Sequence, residues 1–218
     1  MKLVAESFSW PFRGDWKSRW LPGLVAVALL PLAFIPLLGY AIAATRAAQM
    51  NAAAGPPRWT FSLRLWWDGT WTALAIALFT APFAIAFNPL ADTLFGAYFR
   101  NGNDVSLTDL YAHVAAAFLL ALPWGLLFLL HMPHATARFA RTAQWDHLFD
   151  IARSIRSVTR DFATWNLAAA AIVTGWAVGL ACVGLLCVGI VPGVFYAILV
   201  SAHASAALVN KGENSPAR

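Results

Sequence analysis

The sequence predicts an all-α, polytopic helical membrane protein. Of its 218 residues, 60% are hydrophobic and only 11% are charged, a composition that a water-soluble domain of this length does not need. Four long apolar runs contain no Asp, Glu, Lys or Arg, as expected where a charge at mid-bilayer is costly. These runs cover residues 20–44, 71–87, 110–130 and 167–209.

The first apolar run is predicted to bend, because the distribution of Lys and Arg favours a hairpin over one crossing. A single crossing at residues 20–44 divides the basic residues of the successive flanks five against ten. A break near Pro31–Pro36 divides them fourteen against one, with Arg100 alone on the far side. Lys and Arg concentrate in cytoplasmic loops. The sequence therefore predicts about six membrane segments in the cell (inner) membrane, with both termini cytoplasmic.

The chain is predicted to be a single integral membrane domain over residues 1–210, followed by a cytoplasmic tail at 211–218. Its first hairpin is short or re-entrant, because about 36 residues give two arms of about 25 Å each against a hydrocarbon core of about 30 Å. The predicted segments are a cytoplasmic interfacial N-terminus at 1–19, the first hairpin at 20–50, spans at 70–90 and 110–131, an amphipathic cytoplasmic helix at 144–165 and a second hairpin at 166–209.

Residues 35–48 and 191–204 indicate an internal repeat. The two segments align without gaps, and five of their fourteen positions are identical. In both places we expect a hairpin to break just before the shared proline, Pro36 or Pro192. The sequence therefore predicts two weakly repeated halves, each with a hairpin and one further span. Chance similarity between alanine-rich membrane helices is the alternative explanation.

Small residues recur at every fourth position within the apolar runs, a spacing that lets helix backbones approach closely. Close approach matters in lipid, because no hydrophobic effect drives helices together there. The residues that we predict to pack helices are Gly39, Ala43, Ala47, Ala171, Gly175, Gly179, Ala197, Ser201 and Ser205. The pattern leaves open whether they join helices of one chain or of two.

The most informative polar stretch is the predicted helix at 144–165. At about 100° per residue, its large apolar side chains share one broad arc and its aspartates oppose them. Arg153, Arg156 and Arg160 lie along the border, where arginine side chains reach lipid headgroups from a helix lying in the interface. We therefore predict that these arginines contact headgroups. The alternative is a helix packed against the cytoplasmic end of the bundle.

No catalytic, cofactor-binding or metal-binding constellation stands out in the sequence. His131 and His134 lie three residues apart, but Pro133 disrupts the helical spacing that paired ligands need, and no His-Glu-x-x-His pattern is present. The apolar runs contain no acidic residue, which argues against a transporter coupled to cations or protons. We expect no cofactor and no nucleic-acid partner, because the basic residues lie in short loops beside the apolar runs rather than along one soluble face.

Several aromatic and glycine motifs carry a resemblance to a known family. They are FSWPFRGDWKSRW near the N-terminus, Gly39-Tyr40 followed by Arg46, PPRW at 56–59, WWDG at 66–69, and ARTAQWDHLFDIARSIRSV before a Gly-rich hairpin. Through them most of the chain resembles the prokaryotic integral membrane family catalogued as domain of unknown function 4013. The resemblance implies a multi-pass membrane protein, and it brings no activity, cofactor or catalytic residue.

The sequence favours a non-enzymatic module that interacts with membrane lipids, with another membrane protein or with a second copy of itself, because no catalytic group is recognisable. The alternative is a transporter or permease-like protein for a neutral solute or lipid, which a repeat and proline-broken hairpins would suit. A membrane-embedded hydrolase or metalloenzyme that uses His131, His134 or His147 is a third hypothesis.

Overall fold

The structure, a computed structural model, describes residues 1–95, 107–184 and 189–212. Every regular element in these ranges is helical, which confirms the all-α prediction. The helices are α1 (Lys2–Ser9), α2 (Trp16–Ala28), α3 (Leu30–Asn51), α4 (Leu63–Phe95), α5 (Leu107–Thr142), α6 (Ile151–Arg160), α7 (Phe162–Ala181) and α8 (Ile190–Gly212), with short 3-10 turns at Trp10–Phe12, Ala52–Ala54, Trp145–Leu148 and Cys182–Gly184. Arg100 and residues 213–218 of the predicted tail lie outside the described residues.

Within the described ranges, five helices are long and apolar enough to cross a membrane, so the chain is a polytopic helical membrane protein. They are α3, α4, α5, α7 and α8, over Leu30–Ala54, Leu63–Asn88, Tyr111–Thr142, Phe162–Ala181 and Ile190–Val209. The remaining predicted segment corresponds to α2, whose 13 residues extend about 20 Å, short of a hydrocarbon core of about 30 Å. The first hairpin therefore pairs one short arm with one helix of spanning length.

The first hairpin breaks at Leu29, two residues before Pro31, and the sequence predicts the break near Pro31–Pro36. Leu29 has φ −97° and ψ 28°, and Pro31 lies in the first turn of α3, where the N–H that proline lacks is not needed. Pro36 lies inside α3. The two arms are antiparallel, because Arg19 at the start of α2 donates a hydrogen bond of 2.8 Å to the Ala54 carbonyl after α3.

The chain divides into two compact units. Unit 1 comprises Met1–Ala73 and Leu130–Arg218, and unit 2 comprises Leu74–Leu129. Unit 1 has an aromatic and aliphatic core that includes Trp10, Tyr40 and Phe195, all at most 1% exposed. Unit 2 consists of parts of α4 and α5, and large apolar side chains such as Ile85, Phe118 and Leu119 are exposed, as suits helices that face lipid.

Two close helix contacts in unit 1 depend on glycine. Where α3 crosses α4, a Cβ added at Gly39 would overlap the Leu65 carbonyl, and one added at Gly69 would overlap the Ile35 carbonyl. Where α7 crosses α8, Gly179 and Gly193 each approach the other's carbonyl in the same way. A side chain at any of these positions would force the two helices apart.

The predicted amphipathic helix at 144–165 is instead three pieces, and this is a correction. A 3-10 turn at Trp145–Leu148 precedes α6, and α7 has already begun at Phe162. The Asp150 side chain accepts a hydrogen bond from the Arg153 backbone N–H at the start of α6, and Asp161 does the same for Thr164 at the start of α7. Aspartate at these positions satisfies donors that a helix leaves free, so each one starts a new helix.

The repeated segments also break at non-equivalent positions, contrary to the prediction. Helix α8 begins at Ile190, two residues before Pro192, whereas α3 begins at Leu30, six residues before Pro36. The difference arises because Pro31, which has no counterpart in the second segment, already occupies the first turn of α3. The two tyrosines of the repeat nevertheless behave alike: Tyr40 donates its hydroxyl to the Pro57 carbonyl and Tyr196 to the Phe8 carbonyl, at 2.9 and 3.2 Å.

Candidate functional site

Buried charges in unit 1 collect where the end of α3, the start of α4 and the end of α5 meet. Arg46 on α3 donates to Asp68 Oδ2 at 2.9 Å and, through Nε, to the Ala140 carbonyl of α5 at 2.7 Å. Asp68 is only 2% exposed, and its Oδ1 has no hydrogen-bond partner among the described residues. Arg46 therefore neutralises a buried carboxylate and joins three helices.

A neighbouring amide strengthens the same junction. Gln49, one turn further along α3 than Arg46, donates to the Ala137 carbonyl of α5 at 2.8 Å. Asp68 is not among the residues that the sequence predicts for a site, because it precedes the apolar run at 71–87 by three residues and has the appearance of a solvated flank. The available signal was its place in the WWDG motif, next to the glycine at which α4 touches α3.

A second polar cluster fixes α6 against α5. His131 Nδ1 lies 3.0 Å from Ser154 Oγ, and its Nε2 lies 2.8 Å from the Leu148 carbonyl oxygen. A carbonyl only accepts, so Nε2 carries the proton and Nδ1 accepts from the serine hydroxyl. Arg138 donates to Ser154 Oγ at 2.9 Å, and its Nη1 lies 3.9 Å from Asp150 Oδ2. These contacts hold His131 between α6 and the 3-10 turn at Trp145–Leu148, and they fix both against α5.

The positions of His131, His134 and His147 do not support a metal site among the described residues. Both ring nitrogens of His131 face protein groups, and His147 Nδ1 lies 2.9 Å from Thr142 Oγ1. His134 is buried, and its Nε2 has no hydrogen-bond partner among the described residues. In that part of the chain, no group of three or more His, Cys, Asp or Glu side chains is placed to hold an ion.

The three arginines predicted to contact lipid lie on the outer face of α6. Ser154 and Val158 form its buried side, whereas Arg153, Arg156 and Arg160 are all exposed. Their spacings of three and four residues place them along one stripe of the helix. The structure therefore brings these three predicted residues together on one surface.

Asp150 lies at the N-terminal end of this stripe. Its Oδ1 accepts the Arg153 backbone N–H at 2.9 Å, and its Oδ2 lies 3.5 Å from Arg153 Nε. The pKa of the Asp150 carboxyl is lowered, first by the hydrogen bond from the Arg153 backbone and then by the positive charges of Arg138, Arg153 and Arg156. The carboxylate is therefore ionised at neutral pH.

Other basic residues are engaged inside the chain. Arg13 donates to the Ala52 carbonyl at 3.2 Å, and Arg19 donates to the carbonyls of Ala54 and Pro56 just after α3. The end of a helix leaves carbonyl groups that cations bind well. These two arginines close the first hairpin and do not form an outward stripe.

Helix α1 is docked on α8 by a further buried polar contact. Ser7 Oγ lies 2.9 Å from His203 Nδ1, and the Trp10 ring lies against the His203 ring with centroids 5.4 Å apart. His203, which the sequence places in an apolar run, thus has a partner at the N-terminus. The predicted interfacial N-terminus is in part a packing element of unit 1.

The predicted small-residue positions fall into two groups. Buried positions are Gly39, Ala171, Gly175, Gly179, Ala197 and Ser205, and partly exposed ones are Ala43, Ala47 and Ser201. Gly175 faces the Val200 side chain of α8, and Ser201 Oγ accepts from Trp176 Nε1 at 3.2 Å. The closest contacts of the glycines are to helices of the same chain.

Comparison with known proteins adds a family and no activity. The model of the family described as "Protein of unknown function (DUF4013)" matches residues 23–200. Nothing among the curated proteins or the solved structures matches the chain. Since the family match covers well over half of the sequence, this all-α polytopic membrane protein belongs to the DUF4013 family.

Proposed function

We propose that this protein is a non-enzymatic module of the cell (inner) membrane that binds anionic lipid headgroups at the cytoplasmic surface. The observation that carries the proposal is the exposed stripe of Arg153, Arg156 and Arg160 on α6. The fourteen-to-one distribution of Lys and Arg supports a cytoplasmic position for α6 and for both termini.

The chemistry of the stripe suits a phosphate ligand. Guanidinium groups form paired hydrogen bonds with phosphate oxygens, and a basic residue near an anionic membrane surface contributes about 1 kcal/mol to binding. Exposed apolar side chains lie close to the arginines in the sequence, namely Ile155 and Phe162 at 48% and 59% exposure. Apolar groups beside arginines are the combination with which interfacial helices enter the headgroup region.

The test replaces the stripe and measures retained lipid. The full chain with Arg153, Arg156 and Arg160 changed to Gln is purified in detergent with the wild type, and bound phosphatidylglycerol is counted by native mass spectrometry. We expect the triple variant to retain much less anionic lipid, because about 3 kcal/mol of attraction is removed. Retention of zwitterionic phosphatidylethanolamine should change little.

A matched control removes the same charge elsewhere. Lys2, Lys17 and Arg58 are exposed, and their replacement by Gln also subtracts three positive charges. We expect this variant to retain anionic lipid nearly as the wild type does. Equal losses in both variants, or no loss in either, would contradict a binding surface on α6.

The alternative function, transport of a neutral solute or lipid, is favoured by one contact. Helices α3 and α8, which carry the repeated segments, pack against each other where the Tyr40 and Phe195 rings lie with centroids 5.9 Å apart. Repeats that meet at a shared interface are a feature of transporters. Liposomes that contain the protein should then scramble a fluorescent lipid or take up a labelled neutral solute faster than empty liposomes, and equal rates would exclude both activities for the compounds tried.

A further inference from the structure

We propose that the Asp150 carboxylate competes with phosphate groups for the α6 arginines. This competition raises the concentration of anionic ligand that is needed to fill the site. This inference rests on the proposed function and assigns a control residue to the same surface. The chemical class of ligand is a phosphate group on a lipid. Free phosphate is distinguished from it in the experiment.

The two carboxylate oxygens of Asp150 have different tasks. Oδ1 caps α6 by accepting the Arg153 backbone N–H, and Oδ2 faces the Arg153 guanidinium at 3.5 Å. Arg138 approaches the same Oδ2 from α5, at 3.9 Å. An anionic oxygen therefore already occupies the place beside Arg153 that a phosphate oxygen would take.

The position of this pair allows exchange with a ligand. The Arg153 and Asp150 side chains are 55% and 33% exposed, and ion pairs at such a surface are weak because water and salt screen them. Arg138, in contrast, is 13% exposed and donates to Ser154, so it stays bound to the protein. A phosphate can thus displace Asp150 from Arg153 without disturbing the α5–α6 contact.

The charges of residues 145–161 show why one aspartate matters for this competition. Residues 145–161 contain three aspartates and three arginines, so their formal charges cancel while His147 is neutral. The arginines face outward on α6, whereas Asp161 caps α7. Asp150 contacts Arg153 of the stripe directly, and its displacement leaves the positive charge of Arg153 without a counter-charge.

The test uses a substitution that keeps the cap and removes the charge. Asn caps helices about as well as Asp, so Asp150→Asn preserves the start of α6. The full chain in detergent is titrated with short-chain phosphatidylglycerol, and bound lipid is followed by native mass spectrometry. We expect half-saturation at about a fivefold lower lipid concentration, the factor that corresponds to one more basic residue at an anionic surface.

A double variant tests whether Asp150 acts through Arg153. In the Arg153→Gln background, Asp150→Asn should shift half-saturation by less than about twofold, because the paired guanidinium is gone. A shift as large as in the wild-type background would overturn the proposal, as would an Asp150→Asn protein that binds lipid no more tightly than wild type. Unchanged binding is what a purely structural role for Asp150 predicts, because Asn keeps the cap of α6.

Further arms separate charge, lipid and free phosphate. Asp15→Asn removes an exposed negative charge from the residue that precedes α2 and should leave half-saturation nearly unchanged; an equal fivefold gain would overturn the proposal. Inorganic phosphate alone should bind more tightly to Asp150→Asn than to wild type if phosphate chemistry is what Asp150 opposes. Equal affinity of the two proteins for inorganic phosphate would overturn that assignment.

The proposed function can fail separately. If wild type and the triple arginine variant bind anionic lipid equally, the proposed function is wrong, and the competition at Asp150 is wrong with it. If the arginines matter and Asp150 does not, only the competition is wrong.

Discussion

Arginines at the end of α3 and on α6 count equally in the charge distribution that predicts membrane orientation, yet the protein uses them differently. The Arg46 side chain is 21% exposed and bonded to Asp68 and to a carbonyl of α5. The Arg153 side chain is 55% exposed and belongs to an outward stripe. Loop charge therefore reports which side a residue lies on, whereas contacts decide whether it stabilises the fold or is available to a ligand.

The largest effect is expected from breaking the buried pair. Asp68→Asn leaves the Arg46 guanidinium without its counter-charge in a mostly buried position, and we expect a loss of about 3 kcal/mol in the free energy of unfolding. Thermal unfolding in detergent, followed by tryptophan fluorescence, measures the loss as a lower midpoint.

A nearby arginine supplies the control for that substitution. Arg64 lies 3.9 Å from the same carboxylate but its side chain is 57% exposed, so Arg64→Gln should cost at most about 1 kcal/mol. If Arg64→Gln were as damaging as Asp68→Asn, the contrast between buried and exposed arginines would be lost.

The sequence could predict the helical class and the exposed arginines but not the buried pair. Composition and the apolar runs dictate helices, since only segments with internally satisfied backbones cross lipid. The burial of Asp68 could not be predicted, because it depends on α3 lying against α4 and on Arg46 reaching across. Such a long-range contact leaves no periodic signal.

The error at 144–165 has a different cause. The apolar arc continues across Asp161, because a one-residue break barely shifts a 3.6-residue period, so the pattern looked like one helix. Asp150 and Asp161 are themselves helix-start signals. These two aspartates therefore divide the segment at the positions where the structure starts α6 and α7, and Asp150 lies beside the arginines.

The next effect concerns the close approach that lets Arg46 reach Asp68. Gly39→Ala places a methyl group against the Leu65 carbonyl. We expect the free energy of unfolding to fall by about 1–3 kcal/mol, because α3 is pushed away from α4. Gly125→Ala is the matched control on α5, where an added Cβ meets nothing within 4 Å. There we expect a gain of about 0.5–1 kcal/mol from helix propensity, and losses of the same size in both variants would contradict the contact. Both midpoints come from the thermal assay above.

A still smaller effect on stability is expected on the outer face of α6. Arg156→Gln with Arg160→Gln should change the free energy of unfolding by no more than about 0.5 kcal/mol, because these side chains are exposed. Thermal unfolding in lipid-free detergent provides the measurement. A loss comparable to that of Asp68→Asn would mean that the stripe is part of the fold, and its assignment to a ligand would fail.

The smallest effect is a pH dependence that originates at Asp150. Its folded-state pKa is lowered from an unfolded value of about 3.9, so its contribution to stability is complete above about pH 4 and is lost as the pH falls through the lowered pKa. Asp150→Asn keeps the helix cap but lacks this titration. We therefore expect the unfolding midpoints of wild type and Asp150→Asn to differ slightly near pH 6 and to converge as the pH falls below about 4. A difference that stays constant over this range would show that the Asp150 charge stabilises nothing in the folded state, and that Arg153 is already as available as Arg156.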